Sequence, residues 1–424
     1  MISRRATNSC ALSAPALAKP MSHTLLRRAA LIAAPLFIAA CQTAPYESRP
    51  SPSLPPAVTV PGQIPPAPIP SAPVHEAPVT QRPYAPAPVA RLSAADLLPG
   101  DIADRGGWAR DIDTALDHLG VPRSADNLCA AMAVIEQEST WQADPAVPGL
   151  PRIVRKEIDS RAERYGVPKI VVSAALEKTS PNGRSYAKRI AALRTEKQMN
   201  TLFDDMLSEL PLGKTLLSGF NPIRTGGPMQ VSIAFAENHL RQRAYPYPRT
   251  GSVRHEVFTR RGGLYFGIAN LLDYPADYPH PRYRFADFNA GQYSSRNAAF
   301  QSAITRVSGR KLAPDGDLLR YRGDTPSEDV SATEAALRTL AGRLHLSARQ
   351  IRNDLEREKS LDFSHTRLYD RLWQLAERKA GRALPREQMP DILLQSPKIQ
   401  RKLTTAWFAK RVEWRYDRCL ARER

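Results

Sequence analysis

The chain has 424 residues, of which 42% are hydrophobic and 24% are charged, and this composition argues for a globular protein rather than a disordered or fibrous one. Its 60 Lys and Arg residues outnumber its 42 Asp and Glu residues, and the formal net charge of +18 attracts polyanions. Nucleic acid, anionic lipid and the carboxylates of cell-wall peptides are therefore the partner classes to weigh. The alternative is that the basic residues only solvate helix surfaces.

The N-terminus has the pattern of a bacterial export signal. Read from Met21, a short segment with two arginines precedes an apolar stretch that ends in small residues before Cys41. Residues 38–41 (Ile-Ala-Ala-Cys) match the lipobox of bacterial lipoproteins, whose cysteine is acylated and becomes the first residue after cleavage. The apolar stretch is too short for a permanent membrane span. We therefore expect a signal peptide over residues 1–40, with Met21 as the true start, and lipidation at Cys41.

The segment after the cysteine predicts where the protein resides. Gln42 stands where enterobacterial lipoproteins retained in the inner membrane carry Asp, so the resemblance implies an outer-membrane lipid anchor facing the periplasm. An exported chain does not meet nucleic acid, which excludes that partner. Residues 41–92 are rich in Pro and Ala and show no hydrophobic period, which predicts a disordered, extended tether. At about 3.1 Å per residue, such a tether reaches on the order of 100 Å from the membrane.

Cys10 lies in the predicted signal peptide and Cys41 carries the lipid, which leaves Cys129 and Cys419 to consider. In an oxidising compartment they can form a disulfide that clamps the C-terminal helix onto the first part of the core. Two separately buried thiols are the alternative.

The first strong helix signal after the tether begins at Ser124, a favourable N-cap, and continues with apolar residues at helical spacing. Extended by three and four residues beyond Ile135, the apolar stripe reaches Glu138 and Ser139. A carboxyl on a buried face loses hydration, which raises its pKa, and a carboxyl protonated near neutral pH can act as a general acid in glycoside cleavage. An ordinary surface glutamate is the alternative, and helical phase alone does not decide between them.

Four segments, in the same order, resemble the lytic transglycosylases, relatives of goose-type lysozyme. Residues 138–141 (Glu-Ser-Thr-Trp) resemble the family's Glu-Ser-x-aromatic signature, and residues 226–231 (Gly-Gly-Pro-Met-Gln-Val) resemble its Gly-Leu-Met-Gln segment. Residues 262–266 (Gly-Gly-Leu-Tyr-Phe) look like its Gly-x-x-Tyr-Leu segment, and residues 286–291 (Ala-Asp-Phe-Asn-Ala-Gly) look like its Ala-x-Tyr-Asn-x-Gly segment. Each segment alone is a weak signal. The combination predicts a lysozyme-like core.

The resemblance implies cleavage of the bond between N-acetylmuramic acid and N-acetylglucosamine, with a 1,6-anhydro product. Glu138 is then the single acid and base. Ser139 orients the carboxylate or the substrate's N-acetyl group, Met229 and Gln230 line the sugar subsites, and Asn289 fixes the loop opposite the carboxylate. The family needs no cofactor, and the eight histidines show no paired spacing typical of a metal site.

The fourth segment departs from the family pattern. Where the family carries a tyrosine whose hydroxyl reaches the catalytic carboxyl, this chain has Phe288, which cannot donate a hydrogen bond. Tyr265, which the resemblance also assigns to substrate binding, is one replacement donor, and Tyr283 and Tyr293 are others. The remaining interpretation is a site with weak or no activity.

The spacing of the segments also departs from the family pattern, because about 85 residues separate the first two segments. The insertion, at about residues 150–220, predicts amphipathic helices over residues 152–165, 168–176 and 185–210. It is either a packed elaboration of the core or a surface such as a lid, a substrate wall or a binding site for an envelope protein.

The fold expected is mainly α: a lysozyme-like core over residues 93–331 with helices added before and after it, and a small β-hairpin between residues 226 and 262. Residues 332–424 form a helical extension packed on the core. Near its end, an aromatic stripe is interpreted as core packing rather than as a sugar platform. The stripe comprises Trp407, Phe408, Val412 and Trp414.

Two functions remain open at this stage. One is a membrane-anchored enzyme that cleaves peptidoglycan. The other is a non-catalytic lipoprotein of an uncharacterised family that keeps the groove for binding peptidoglycan or an envelope partner. Phe288 favours binding, and the position of Glu138 favours catalysis.

Overall fold

The computed structural model describes residues 92–209, 221, 223–249, 251–322, 325–394 and 403–423. The predicted signal peptide, the lipidation site at Cys41 and all but the last residue of the predicted tether lie outside the described residues. The described part is mainly α-helical, as predicted, and its strands form only three short antiparallel pairs. None of its helices is long and apolar enough to cross a membrane.

The chain begins with three helices and continues into the insertion. The first three are α1 (Ala94–Leu97), α2 (Arg105–Leu119) and α3 (Ala125–Ser139). The insertion contains α4 (Leu150–Arg164), α5 (Lys169–Leu176), α6 (Tyr186–Ala191) and α7 (Glu196–Ser208).

A hairpin and four further helices follow the insertion. The hairpin strands are β1 (Thr225–Gly226) and β2 (Val231–Ser232), with Gly226 opposite Val231. The helices are α8 (Ile233–Gln242), α9 (Val253–Val257), α10 (Arg260–Leu272) and α11 (Pro281–Ala290).

The rest of the chain forms a second group of helices and one returning helix. The second group contains α12 (Ser294–Ser308), β3 (Tyr321–Arg322), β4 (Thr325–Pro326), α13 (Ala332–Thr339), α14 (Ala341–Leu344), α15 (Ala348–Leu355), a 3₁₀-helix (Leu361–His365) and α16 (Arg367–Ala380). The last elements are β5 (Leu393–Leu394), β6 (Leu403–Thr404) and α17 (Thr405–Leu420).

Helix α3 is the centre of the first hydrophobic core. The Ser124 hydroxyl accepts from the Asn127 backbone N–H and caps the helix, as the sequence predicts. Small and apolar residues occupy nearly every position from Leu128 to Ile135, and all of them are buried. A helix that is apolar on all sides must be enclosed, and α17, α10 and α1 pack around it.

The C-terminal helix belongs to this first core and not to a separate extension. Phe408, Val412 and Tyr416 of α17 are buried in the same cluster as α3, and a disulfide joins Cys129 of α3 to Cys419 of α17. The second core instead begins in α12 and runs through α16. The sequence predicts an extension from residue 332 that packs on the core. The hydrophobic clusters change near residue 299, and the chain rejoins the first core with Met389, Leu394 and α17.

The insertion has a small hydrophobic cluster of its own. Leu150, Val154, Leu176 and Ile190 are among the buried residues that join α4, α5 and α6. The predicted single helix over residues 185–210 is two helices. Thr195 interrupts it, because its hydroxyl accepts from the Gln198 N–H while the Gln198 side chain accepts from the Thr195 N–H, a capping box that starts α7.

Candidate functional site

Glu138 lies in the last turn of α3 and is half-buried, between a fully buried helix body and an exposed loop. The helix stops directly after it, because Thr140 adopts a left-handed conformation with φ 49° and Trp141 follows with φ 62°. Two consecutive non-glycine residues in this region of backbone space carry a conformational cost. The sequence therefore presents Glu138 at an abrupt and strained chain reversal.

The loop after Glu138 is held at both ends. The Trp141 ring meets Trp108 of α2 edge to face, with ring centroids 5.4 Å apart, and the Arg260 guanidinium lies 5.5 Å from the Trp108 ring centroid. Further along, the Asp144 carboxylate accepts from the Thr195 hydroxyl at 2.9 Å. The loop thus connects the first core to the insertion at a fixed position.

A cavity of about 520 Å³ adjoins this connection on the insertion side. Asp144, Arg184, Arg189 and Lys197 are among its lining residues, so cations predominate there. Glu138 does not line it, and Glu138 also lines neither of two further cavities of about 720 and 520 Å³ among the described residues.

The second and third sequence segments are in direct contact. The hairpin turn lies against the first two turns of α10, where a side chain at Gly263 would meet the Pro228 ring at 2.5 Å and one at Gly267 would meet the Met229 sulfur at 2.4 Å. Glycine at these two positions lets the hairpin approach the helix backbone. The glycines of the third segment therefore allow the second segment to pack closely against α10.

Gln230 closes this hairpin turn in a left-handed conformation with φ 49°. Its amide nitrogen lies 3.4 Å from the Gly227 carbonyl oxygen, and its amide oxygen lies 3.3 Å from the Thr225 hydroxyl. The residue is half-buried, so part of its side chain remains accessible to a ligand.

The fourth segment ends α11 and faces the start of α17. The exposed Asn289 side chain accepts from the Thr405 hydroxyl at 3.0 Å, and half-buried Phe288 packs against the first core. Six residues along α17, Arg411 Nε lies 3.4 Å from the side-chain oxygen of Gln137, the residue before Glu138. Since a helix rises about 1.5 Å per residue, α17 holds the ends of α3 and α11 about 9 Å apart along its axis.

Three of the predicted site residues are too enclosed to touch a substrate in this conformation. Ser139 is 3% exposed and its hydroxyl donates to the Ile135 carbonyl at 2.9 Å, so the residue ties the last helical turn instead of orienting a sugar. Met229 and Tyr265 are fully buried. Met229 fills the contact between hairpin and helix, which corrects its expected place in a sugar subsite.

Tyr265 belongs to an aromatic cluster within the core. Its hydroxyl donates to the Ala244 carbonyl at 3.0 Å and lies 3.3 Å from His239 Nε2. Its proton is thus engaged within the core, and Tyr265 does not replace the hydroxyl that Phe288 lacks. Burial lowers the pKa of His239 to about 4, so this histidine is neutral and structural.

Sequence reasoning missed Asp287, which is fully buried between Ala286 and Phe288. Its carboxylate accepts from the Tyr278 and Tyr274 hydroxyls at 2.7 and 3.1 Å and from the backbone N–H groups of Tyr293 and Ser295 at 3.0 and 2.6 Å. Burial raises its pKa, although these hydrogen bonds oppose the change. The carboxylate fixes the N-terminus of α12, and its position inside the fourth segment was the available signal.

No group of three or more His, Cys, Asp or Glu side chains in the described ranges is arranged to hold a metal ion. What the arrangement offers chemically is the half-buried carboxyl of Glu138 in the last turn of α3, next in the chain to residues that contact arginines of α17.

Comparison with known proteins gives a family and one relative. The model of a family described as a protein of unknown function, DUF1615, matches residues 101–422. A protein of Escherichia coli strain K12 described as uncharacterized protein YaiW is 53% identical over 323 residues, which cover 76% of this chain and 87% of that protein. No solved structure matches the chain significantly.

Proposed function

The chain belongs to DUF1615, a family of proteins of unknown function, and we propose that it is an outer-membrane lipoprotein whose helical domain cleaves the glycan strands of peptidoglycan. Glu138 is the single acid and base in this proposal, and the domain has a lysozyme-like core. The lipid anchor at Cys41 and the following tether hold the domain within reach of the wall from the periplasmic side.

The observation that carries the proposal is the concentration of backbone strain around Glu138 and the hairpin turn. The described residues include six non-glycine residues with positive φ, and three of them (Thr140, Trp141 and Gln230) lie in the two segments that resemble the family's catalytic and subsite motifs. Strained residues persist only where their surroundings enforce them, and they cluster at functional sites.

The reaction follows from one carboxyl. The protonated Glu138 gives its proton to the glycosidic oxygen, and the bond from the muramic acid C1 to that oxygen breaks. The resulting carboxylate then takes the proton from the 6-hydroxyl of the muramic acid. The 6-oxygen bonds to C1 at the same time, which forms the 1,6-anhydro ring without consuming water. General acid assistance of this kind contributes about 10²–10⁴ in rate.

A second candidate is a wall-binding lipoprotein without activity. Two observations favour it: Phe288 offers no hydroxyl, and the Ser139 hydroxyl is engaged by the Ile135 carbonyl. The two groups that the family resemblance places beside the carboxyl are therefore not available to it here.

The deciding experiment is digestion of purified peptidoglycan sacculi by the full chain, with the soluble products resolved by mass spectrometry. Glu138→Gln keeps the shape of the side chain and removes the transferable proton. Glu177→Gln, an exposed carboxyl at the end of α5, is the matched control. We expect anhydro-muropeptides from the wild type and the control, and none from Glu138→Gln.

Products with reducing ends would show that the protein is a hydrolase that uses water and not a transglycosylase. If the wild type binds sacculi but releases no products, the protein is the wall-binding lipoprotein without activity. Anhydro products that persist in Glu138→Gln would remove this residue from the mechanism.

A further inference from the structure

The exposed face of α17 carries an alternating row of tryptophan and arginine. Trp407, Arg411, Trp414 and Arg418, here called the Trp–Arg stripe, are spaced by four, three and four residues, so they share one side of the helix. Arg411 lies 5.1 Å from the Trp407 ring centroid, and Arg418 lies 4.3 Å from the Trp414 ring centroid. Each indole thus has a guanidinium beside it.

Only Trp414 departs from the sequence expectation of core packing, because half-buried Trp407 packs against the first core. Phe408 and Val412 are buried, whereas Trp407 is half-buried and Trp414 is 55% exposed. Among the described residues, Trp414 is the only tryptophan in the set of exposed large apolar side chains. An indole combines a large apolar surface with a polar N–H group, and for this reason tryptophan is enriched at binding interfaces.

The stripe adjoins the turn that presents Glu138. Arg418 and Arg415 lie 2.6 and 3.5 Å from a carboxylate oxygen of Glu136, and Arg411 contacts Gln137. At its other end, α17 begins at the contact between Thr405 and Asn289. The stripe therefore runs for about 16 Å along the helix beside the candidate catalytic turn.

We propose that the Trp–Arg stripe binds a glycan that carries carboxylates, and that it holds the strand against the turn containing Glu138. An indole face stacks on the C–H face of a pyranose ring. Arg418 pairs with Glu136, whereas Arg411 contacts the neutral side chain of Gln137, and the Arg411 guanidinium suits a ligand carboxylate through two parallel hydrogen bonds. A polymer of sugar rings with acidic peptide side chains offers both partners at repeated intervals. The identity of this polymer as peptidoglycan rests on the proposed function, but the binding surface does not depend on catalysis.

An anionic membrane fits the stripe less well. Glu413 and Asp417 interrupt the cationic surface of α17, and Glu136 neutralises part of it. Helix α17 exposes no large aliphatic side chain. Insertion into a membrane interface requires a continuous apolar face, which the stripe lacks.

The test is co-sedimentation of the full chain with purified sacculi. Trp414→Ala should weaken binding by about threefold to tenfold, and Trp407→Ala with Trp414→Ala should weaken it further. Trp414→Phe, which keeps a stacking face, should restore most of the affinity. Tyr165→Ala removes another aromatic side chain, 79% exposed on the insertion, and should bind like the wild type.

A second titration identifies the two parts of the ligand. Soluble glycan strands with intact peptides should shift the fluorescence of Trp414, and the same strands stripped of peptides should bind several-fold more weakly because the guanidinium partners are absent. Vesicles of phosphatidylglycerol serve as the rival probe.

The proposal is overturned if Trp414→Ala binds sacculi like the wild type, or if the stripe variants lose vesicle binding while retaining sacculus binding. Glu138→Gln separates this result from the proposed function. That variant should retain full sacculus binding whether or not the wild type cleaves, so a loss of cleavage and a loss of stripe binding are distinguishable.

Discussion

The two larger hydrophobic cores of the described chain are held together by different chemistry. The first core is built almost entirely from apolar residues around α3, and the Cys129–Cys419 disulfide closes it. The second core encloses charged residues: Arg296 is 5% exposed, and Glu334 and Glu358 are fully buried. One region thus depends on burial of apolar surface and a covalent link, and the other depends on a satisfied polar network.

The two cores should therefore lose stability under different conditions. A core that is closed by a disulfide is sensitive to reduction. A core with buried carboxyls and a buried guanidinium is insensitive to reduction, and it responds to pH and to loss of a single hydrogen-bonding partner.

The largest effect should come from removing the disulfide. The two cysteines are 290 residues apart in sequence, and a link across so long a segment restricts the unfolded chain strongly. Cys129→Ser with Cys419→Ser should therefore lower the free energy of unfolding by about 3–5 kcal/mol. Hydrogen exchange should show lost protection in α3 and α17 and retained protection in α13 and α16. An equal loss in both cores would contradict the separation described above.

Replacing the buried guanidinium should destabilise the second core in turn. Arg296 donates to the Ser360 carbonyl at 2.8 Å and to the Ser364 hydroxyl at 3.1 Å. Arg296→Met leaves such groups without their donor, and we expect a loss of about 2–4 kcal/mol in urea unfolding. Arg322→Met is the matched control, because this side chain is 80% exposed and its ion pair with exposed Asp329 contributes about 1 kcal/mol or less. Similar losses in both variants would mean that burial is not the cause.

The second core should also lose stability as the pH rises. Burial raises the pKa of Glu358 from 4.5 to about 7 in the folded chain. Between those values the folded state holds a proton that the unfolded state has released. The free energy of unfolding therefore decreases from pH 4.5 to about pH 7 by up to about 3 kcal/mol, and the contribution is fully present only below pH 4.5.

Urea unfolding at a series of pH values checks this prediction. Glu358→Gln, which cannot ionise, should flatten the dependence in that window. If the free energy of unfolding of Glu358→Gln still changes with pH in this window, another group causes the pH dependence.

The smallest effect concerns backbone strain. Thr140→Gly should raise the free energy of unfolding by about 0.5–1 kcal/mol, because glycine adopts the left-handed conformation without steric cost. His345→Gly, at φ 50° in the second core, should give a similar gain in thermal unfolding. Only Thr140→Gly should alter the cleavage of sacculi. Unchanged cleavage would mean that the strain does not position Glu138.

The sequence predicted helix α3 closely. Ser124 as a cap and the apolar residues after it reproduce the observed helix Ala125–Ser139. The cysteine count left Cys129 and Cys419 as the pair to consider, because Cys10 lies in the predicted signal peptide and Cys41 is the predicted lipidation site. Local signals of this kind are readable since they depend on residues a few positions apart.

What the sequence did not predict depends on contacts between distant segments. Helical phase placed Ser139 and Glu138 on one face, but it does not say which neighbour covers that face. The burial of Met229 follows from glycines at positions 263 and 267, which no local pattern connects to it. Arg296 and Glu358 resemble ordinary surface charges until the chain brings their partners around them.

The position of α17 has a consequence for the order in which the molecule can be assembled. Residues of α17, among them Phe408, Val412 and Cys419, complete a core whose other buried residues lie before residue 290. Because a chain is synthesised from its N-terminus onward, the side of α3 that faces α17 stays uncovered until α17 has been made. A truncation that removes α17 would therefore leave the apolar surface of α3 exposed, although α3 itself lies near the start of the folded domain.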